Sequence, residues 1–179
     1  MTTDAGLPPL PSGYEARMPR HAEPDQLQPV GPDSSGRAAF LAPAAALAWA
    51  SMRDAAARDG VELLLVSAFR SIERQGAIIA AKVASGKSLD EILRVSAYPG
   101  FSEHHSGLAV DVGAPGCEDL TERFEGTAQF AWLVGNAGRF GFALTYPRGN
   151  RFGIAYEPWH WRHGGPASPV DPKNKAQSL

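Results

Sequence analysis

Two short polar segments, Ser102-Glu103-His104-His105-Ser106-Gly107-Leu108-Ala109-Val110-Asp111 and Tyr156-Glu157-Pro158-Trp159-His160-Trp161-Arg162, lie about fifty residues apart and constrain the fold more than any other feature. Among the three imidazoles and three carboxylates they hold, His104, Asp111 and His160 can serve as three metal ligands and Glu157 as a base. A catalytic zinc site takes three protein ligands from imidazole nitrogen or carboxylate oxygen, keeps a fourth position for water, and needs a nearby carboxylate for the water's proton. A chain that uses this set must bring the two segments to one point. Cys117 is the one cysteine, which excludes an intrachain disulfide framework and a Cys-rich zinc finger, so any metal is held by His, Asp or Glu.

The 179 residues suit one compact domain and leave no room for two catalytic ones. A charged fraction of 20% and a net charge of -2 give no basic footprint, so nucleic acid is not an expected partner. No apolar run approaches the ~20 residues of a transmembrane helix, and no charged start leads into an apolar leader segment. Read as complete, the sequence points to a cytoplasmic protein; read as the product of signal-peptide removal, to a periplasmic or cell-envelope one. Oligomeric state is not legible.

Residues 1–36 carry Pro8, Pro9, Pro11, Pro19, Pro24, Pro29 and Pro32 and read as an extension with little regular structure, anchored by Tyr14, Met18 and Leu27. A folded unit over 37–166 and a polar tail over 167–179 complete the expected organisation. Helical patterning runs from Pro43 to about Arg58 with Gly60 as the stop, and Val61 to Ser67 reads as a buried strand. A second helix from Ser71 puts Ile72, Gln75, Ile79 and Val83 on one stripe, where Gln75 needs a polar partner. Ser88 and Glu91 resemble a capping box for a short helix from Leu89 to Val95. Further expectations are a strand over Leu108 to Val112, a helix over Thr127 to Arg139, and strands over Phe142 to Tyr146 and Gly153 to Arg162. Helices early and strands late predict an α+β domain: a small antiparallel sheet, helices packed mainly on one side, and the metal site in a cleft over the sheet.

Taken alone, His104 and Asp111 fit a surface histidine and a turn aspartate. Glu157 and His160 strengthen the metal reading. Three apart in an ideal strand they would face opposite ways, but Pro158 permits a bulge that turns both to one pocket, with Trp159 and Trp161 packed on the other side. Arg70, at a strand-to-helix junction, can project over the cleft to meet an oxyanion, or pair with Glu73. Gln75 can bond a substrate backbone or satisfy a buried loop. Ser102, His105 and Ser106 are assigned to substrate binding, His105 at the cleft mouth. His163 is a weaker ligand candidate, His21 has no assigned role, and Cys117 lacks a base beside it.

Four segments, in order, resemble the VanY-type D-alanyl-D-alanine carboxypeptidases, within a wider group that includes lysostaphin-like endopeptidases and the hedgehog signalling domain. They are Ser67-Ala68-Phe69-Arg70-Ser71 with Gln75, Ser102 to Asp111, Trp132 to Pro147, and Glu157 to Arg162. Ala68-Phe69 stands where that family usually has Gly-Tyr, and His105 where it often has Gln. The resemblance implies one Zn2+ per chain on His104, Asp111 and His160, Glu157 as base and Arg70 steadying the scissile carbonyl oxygen. It also implies a peptidoglycan stem peptide or precursor as substrate, with release of terminal D-alanine. An L,D-carboxypeptidase, a D,D-dipeptidase, an L-alanyl-D-glutamate endopeptidase and a non-catalytic cell-wall-binding module are the alternatives.

Overall fold

The computed structural model describes residues 7–164. Where the prolines predict little regular structure, the chain forms a one-turn helix, α1 (Tyr14–Arg17), and a strand, β1 (Gln28–Pro32), paired antiparallel with β2 (Ala38–Leu41). Pro29 and Pro32 are tolerated because β1 belongs to a two-stranded ribbon with a register shift between Pro29 and Gly31, so few ladder N–H groups are required of it. Tyr14 and Met18 are buried as expected, and Leu27 is partly buried. The expected tail over 167–179 lies outside the described residues.

Helix α2 (Pro43–Arg58) starts on Pro43 and ends in a left-handed Gly60. There Val61 N–H bonds Ala56 O and Gly60 N–H bonds Ala57 O, the paired bonds of a Schellman stop. Strand β3 (Leu64–Ser67) follows, then α3 (Ile72–Ala84), capped by Ser71 on Arg74 N–H, and a short α4 (Leu89–Ile92), opened by the Ser88/Glu91 capping box. A 3-10 turn over Glu103–Ser106 leads into β4 (Ala109–Gly113). Helix α5 (Ala128–Asn136) continues as a 3-10 turn over Ala137–Phe140 before β5 (Phe142–Leu144), and β6 (His160–His163) closes the described chain.

Strands β3, β4, β6 and β5 lie side by side in that order as an antiparallel sheet. Alternation sorts its side chains. Leu65, Val110, Val112, Phe142, Leu144 and Trp161 enter one core with Ala45, Trp49, Met52 and Ala56 of α2 and Leu133 of α5. Asp111 and His160 are direct cross-strand partners, so both point to the opposite face. Helices α2 and α5 thus cover one face, and the polar cluster lies over the other. A bulge between Leu65 and Ser67 resets the alternation of β3, which puts Ser67 opposite Asp111.

The late strands are shorter than the sequence pattern suggests. Residues 153–159 are irregular and β6 begins only at His160, because Glu157 to His160 form a tight turn closed by His160 N–H on Glu157 O at 3.1 Å. The distortion expected at Pro158 is therefore a turn before the strand rather than a bulge within it. Among the described residues no helix is long and apolar enough to cross a membrane.

Candidate metal centre

Strand pairing fixes the first contact: His160 Nδ1 lies 2.9 Å from Asp111 Oδ1. The 3-10 turn before β4 then swings His104 over the same carboxylate, with Nε2 at 3.2 Å from Oδ2. That turn ends at Gly107 (φ +65°), whose hypothetical Cβ would sit 2.8 Å from Ala42 N, so both the left-handed backbone and the close approach require glycine. One donor atom from each of His104, Asp111 and His160 falls within a 4.8 Å cluster, and all three residues are buried.

Each imidazole is held from behind. His104 Nδ1 donates to Ala68 O at 2.6 Å, leaving Nε2 for the cluster. His160 Nε2 donates to Glu103 Oε2 at 2.9 Å, leaving Nδ1 for it, and the same Glu103 oxygen accepts the Thr145 hydroxyl at 2.6 Å. The Tyr146 ring stacks on His160 at 4.6 Å. A ligand histidine whose second nitrogen bonds a carbonyl or carboxylate is fixed in tautomer and orientation. Two such nitrogens with a carboxylate oxygen, and no thiolate, fit zinc.

The electrostatics agree with that set. Burial works against ionising Asp111, but His104 and His160 outweigh it and hold the carboxyl far below its ordinary range. Burial likewise opposes charge on His160, and its hydrogen bonds to Asp111 and Glu103 overcome this to raise its pKa to about 10. The proton on Nδ1 occupies the place that a cation between Nδ1 and Asp111 would take, so metal and proton compete for one position. His104 is pulled down instead, chiefly by burial.

Glu157 Oε2 stands 3.9 Å from His160 Nδ1, on the wall of a cleft of about 400 Å³ also lined by Arg70, Ser102, His104, Asp111 and His160. Burial raises its pKa to about 7, with His160 opposing the shift. Arg70 is pinned by Nη1 to Gln75 Oε1 at 3.0 Å and Nη2 to Ser67 Oγ at 3.1 Å, and among the described residues it forms an ion pair with neither Glu73 nor another acid.

Three sequence assignments lie elsewhere. Gln75 is buried, accepts from Arg70 Nη1 and donates to Ala97 O at 2.7 Å, and it is absent from the cleft wall. His105 is fully enclosed, not at the cleft mouth: Nδ1 donates to Arg70 O at 2.6 Å and Nε2 accepts Gly100 N–H at 3.2 Å. Ser106 caps its own turn on Glu103 O at 2.6 Å and is absent from the cleft wall. His163 packs on Phe142, away from the cluster. Cys117 lies in a loop against the main core. Sequence reading missed Glu103, Thr145 and Tyr146. Only the position of Glu103 beside a ligand hinted at its part.

A family model described as VanY: D-alanyl-D-alanine carboxypeptidase matches residues 38–166. The chain belongs to the VanY family. A relative, the D-alanyl-D-alanine carboxypeptidase of Enterococcus faecalis (strain ATCC 700802 / V583), is 38% identical over 122 residues, 63% of this chain and 44% of its own length. The chain spans less than half the length of the curated relatives it matches. Among solved structures, the LD-carboxypeptidase LdcB superposes with a TM-score of 0.72 at 38% identity over 80% of this chain and 70% of that one. A variant of the vancomycin-resistance D,D-pentapeptidase VanY from the VanB-type cassette, in complex with Zn(II), gives 0.61 at 31% identity over 78% and 79%.

Proposed function

We propose that this VanY-family chain is a zinc carboxypeptidase that releases terminal D-alanine from peptidoglycan stem peptides or their precursors. One observation carries the reading: the half-buried carboxylate of Glu157 stands 3.9 Å from His160 Nδ1, beside a three-residue candidate ligand cluster on the wall of the same cleft. His104, Asp111 and His160 would hold the zinc, and the unit that does so comprises residues 37–166 with the preceding segment packed on it. When bound, zinc lowers the pKa of a coordinated water toward ~7 and polarises the scissile carbonyl. Glu157 takes the proton of the attacking water and passes it to the leaving amine, a relay suited to a pKa near the working pH. Arg70, locked by Ser67 and Gln75, presents its guanidinium to the charge that develops on the carbonyl oxygen.

Glu157→Gln abolishes release of D-alanine from a pentapeptide while the purified protein keeps one zinc per chain; retained turnover would overturn the assignment. The LdcB likeness favours a second reading, an L,D-carboxypeptidase acting on tetrapeptides. Mass spectrometry of pentapeptide and tetrapeptide digests separates the two.

A further inference from the structure

One charged group on the cleft wall takes no part in the centre. Lys82 lies in the last turn of α3 and, with Ile78 four residues earlier, faces the cleft that holds Arg70 and Glu157. Its ammonium donates to Ser96 Oγ at 2.6 Å, and among the described residues no carboxylate pairs with it. Burial pulls its pKa down, Lys87 and Arg70 add to the pull, and Glu157 opposes it.

A half-buried ammonium whose fixed partner is a neutral hydroxyl has lost hydration without gaining a counter-charge. Ser96 uses one of its three N–H donors and leaves two for an acceptor in the cleft. Ser67 and Gln75 hold Arg70 for the reacting carbonyl, which leaves Lys82 as the second cation on this wall. Lys82 is therefore the cleft cation open to a negative group that arrives with a ligand. Exposed Val95, beside Ser96 on the same wall, supplies apolar cover for the chain that carries it.

We infer that Lys82, braced by Ser96, is a carboxylate subsite that fixes a peptide substrate through a carboxylate other than the reacting carbonyl. This rests on the peptidase reading above. The carboxylate is either the free C-terminus or one borne by a side chain before the scissile bond.

Three pentapeptides ending in D-Ala-D-Ala distinguish the sources: one with a free C-terminus and a side-chain carboxylate on its third residue, its C-terminal amide, and the form with lysine as third residue. Lys82→Met keeps the apolar stem and removes the charge; Lys82→Gln is the second variant. Calorimetric binding is measured in the Glu157→Gln background, turnover in the otherwise unaltered enzyme. On the first peptide both variants raise Kd and KM about tenfold, with kcat little changed and the thermal transition in place. The penalty vanishes on the amide if the terminus is bound, or on the lysine peptide if the side chain is bound. Equal binding by parent and variants, or an equal loss on all three peptides, overturns the subsite. Lys82-dependent binding without any D-alanine release would instead sink the carboxypeptidase reading and leave the subsite standing.

Discussion

Glu103 lies one bond beyond the candidate metal ligands. Its carboxylate takes the His160 Nε2 proton and the Thr145 hydroxyl on one oxygen, and Arg162 Nε stands 3.9 Å from the other. His160 therefore keeps one tautomer and one ring plane. Glu103→Ala removes that hold and weakens zinc binding by roughly 10- to 100-fold, read by competition with a chromophoric chelator. Glu157 makes a different prediction, about pH. Its folded pKa of about 7 stands above the ordinary 4.5, so between those values the folded chain keeps a proton that the unfolded chain has lost. That contribution to stability is complete below the unfolded value and is lost as pH rises through the folded one. In chelator-treated protein, Glu157→Gln removes roughly 2–3 kcal/mol of the fall in unfolding free energy between about pH 5 and about pH 8, measured by urea titration.

Among the elements, the turn that delivers His104 is the most exacting. Gly107→Ala sets a Cβ against Ala42 N in a left-handed residue, and destabilises the fold by at least ~1–2 kcal/mol in denaturant unfolding, with reduced zinc occupancy. Elements defined by local chemistry were legible in the sequence: Pro43 and Gly60 bracket α2, and Ser88 with Glu91 opens α4. Elements defined by distant partners were not. β1 exists because β2 lies beside it, and β6 starts at His160 because a backbone turn from Glu157 precedes it. The candidate ligands could be read from residue type, and the parity of Trp161 against His160 holds in the sheet. The uses of Gln75 and His105 could not, since a polar side chain in a motif looks the same whether it meets a substrate or a backbone carbonyl 22 or 35 residues away.

At the scale of the whole molecule, the segment before the matched family region is built into the site's support. Tyr14 and Met18 form a second core with Tyr98, Phe101, Tyr146 and Ile154, Tyr14 OH accepts Tyr98 N–H at 3.0 Å, and His21 N–H bonds Gly100 O at 2.8 Å. Tyr146 carries that packing directly onto His160. Tyr14→Ala empties a fully enclosed ring site and costs about 3–5 kcal/mol, seen as a lower urea midpoint. Its zinc affinity falls as well, although the nearest ligand in sequence is 90 residues away. The pairing of Asp111 with His160 across β4 and β6 also sets a timetable. A growing polypeptide carries His104 and Asp111 well before residue 160 has been added, and at that stage it holds only two of the three candidate ligands. Loading the metal is thus an event of the finished strand pairing, and a one-residue slip of β6, which would turn His160 into the apolar layer, is a misfold that zinc cannot reward.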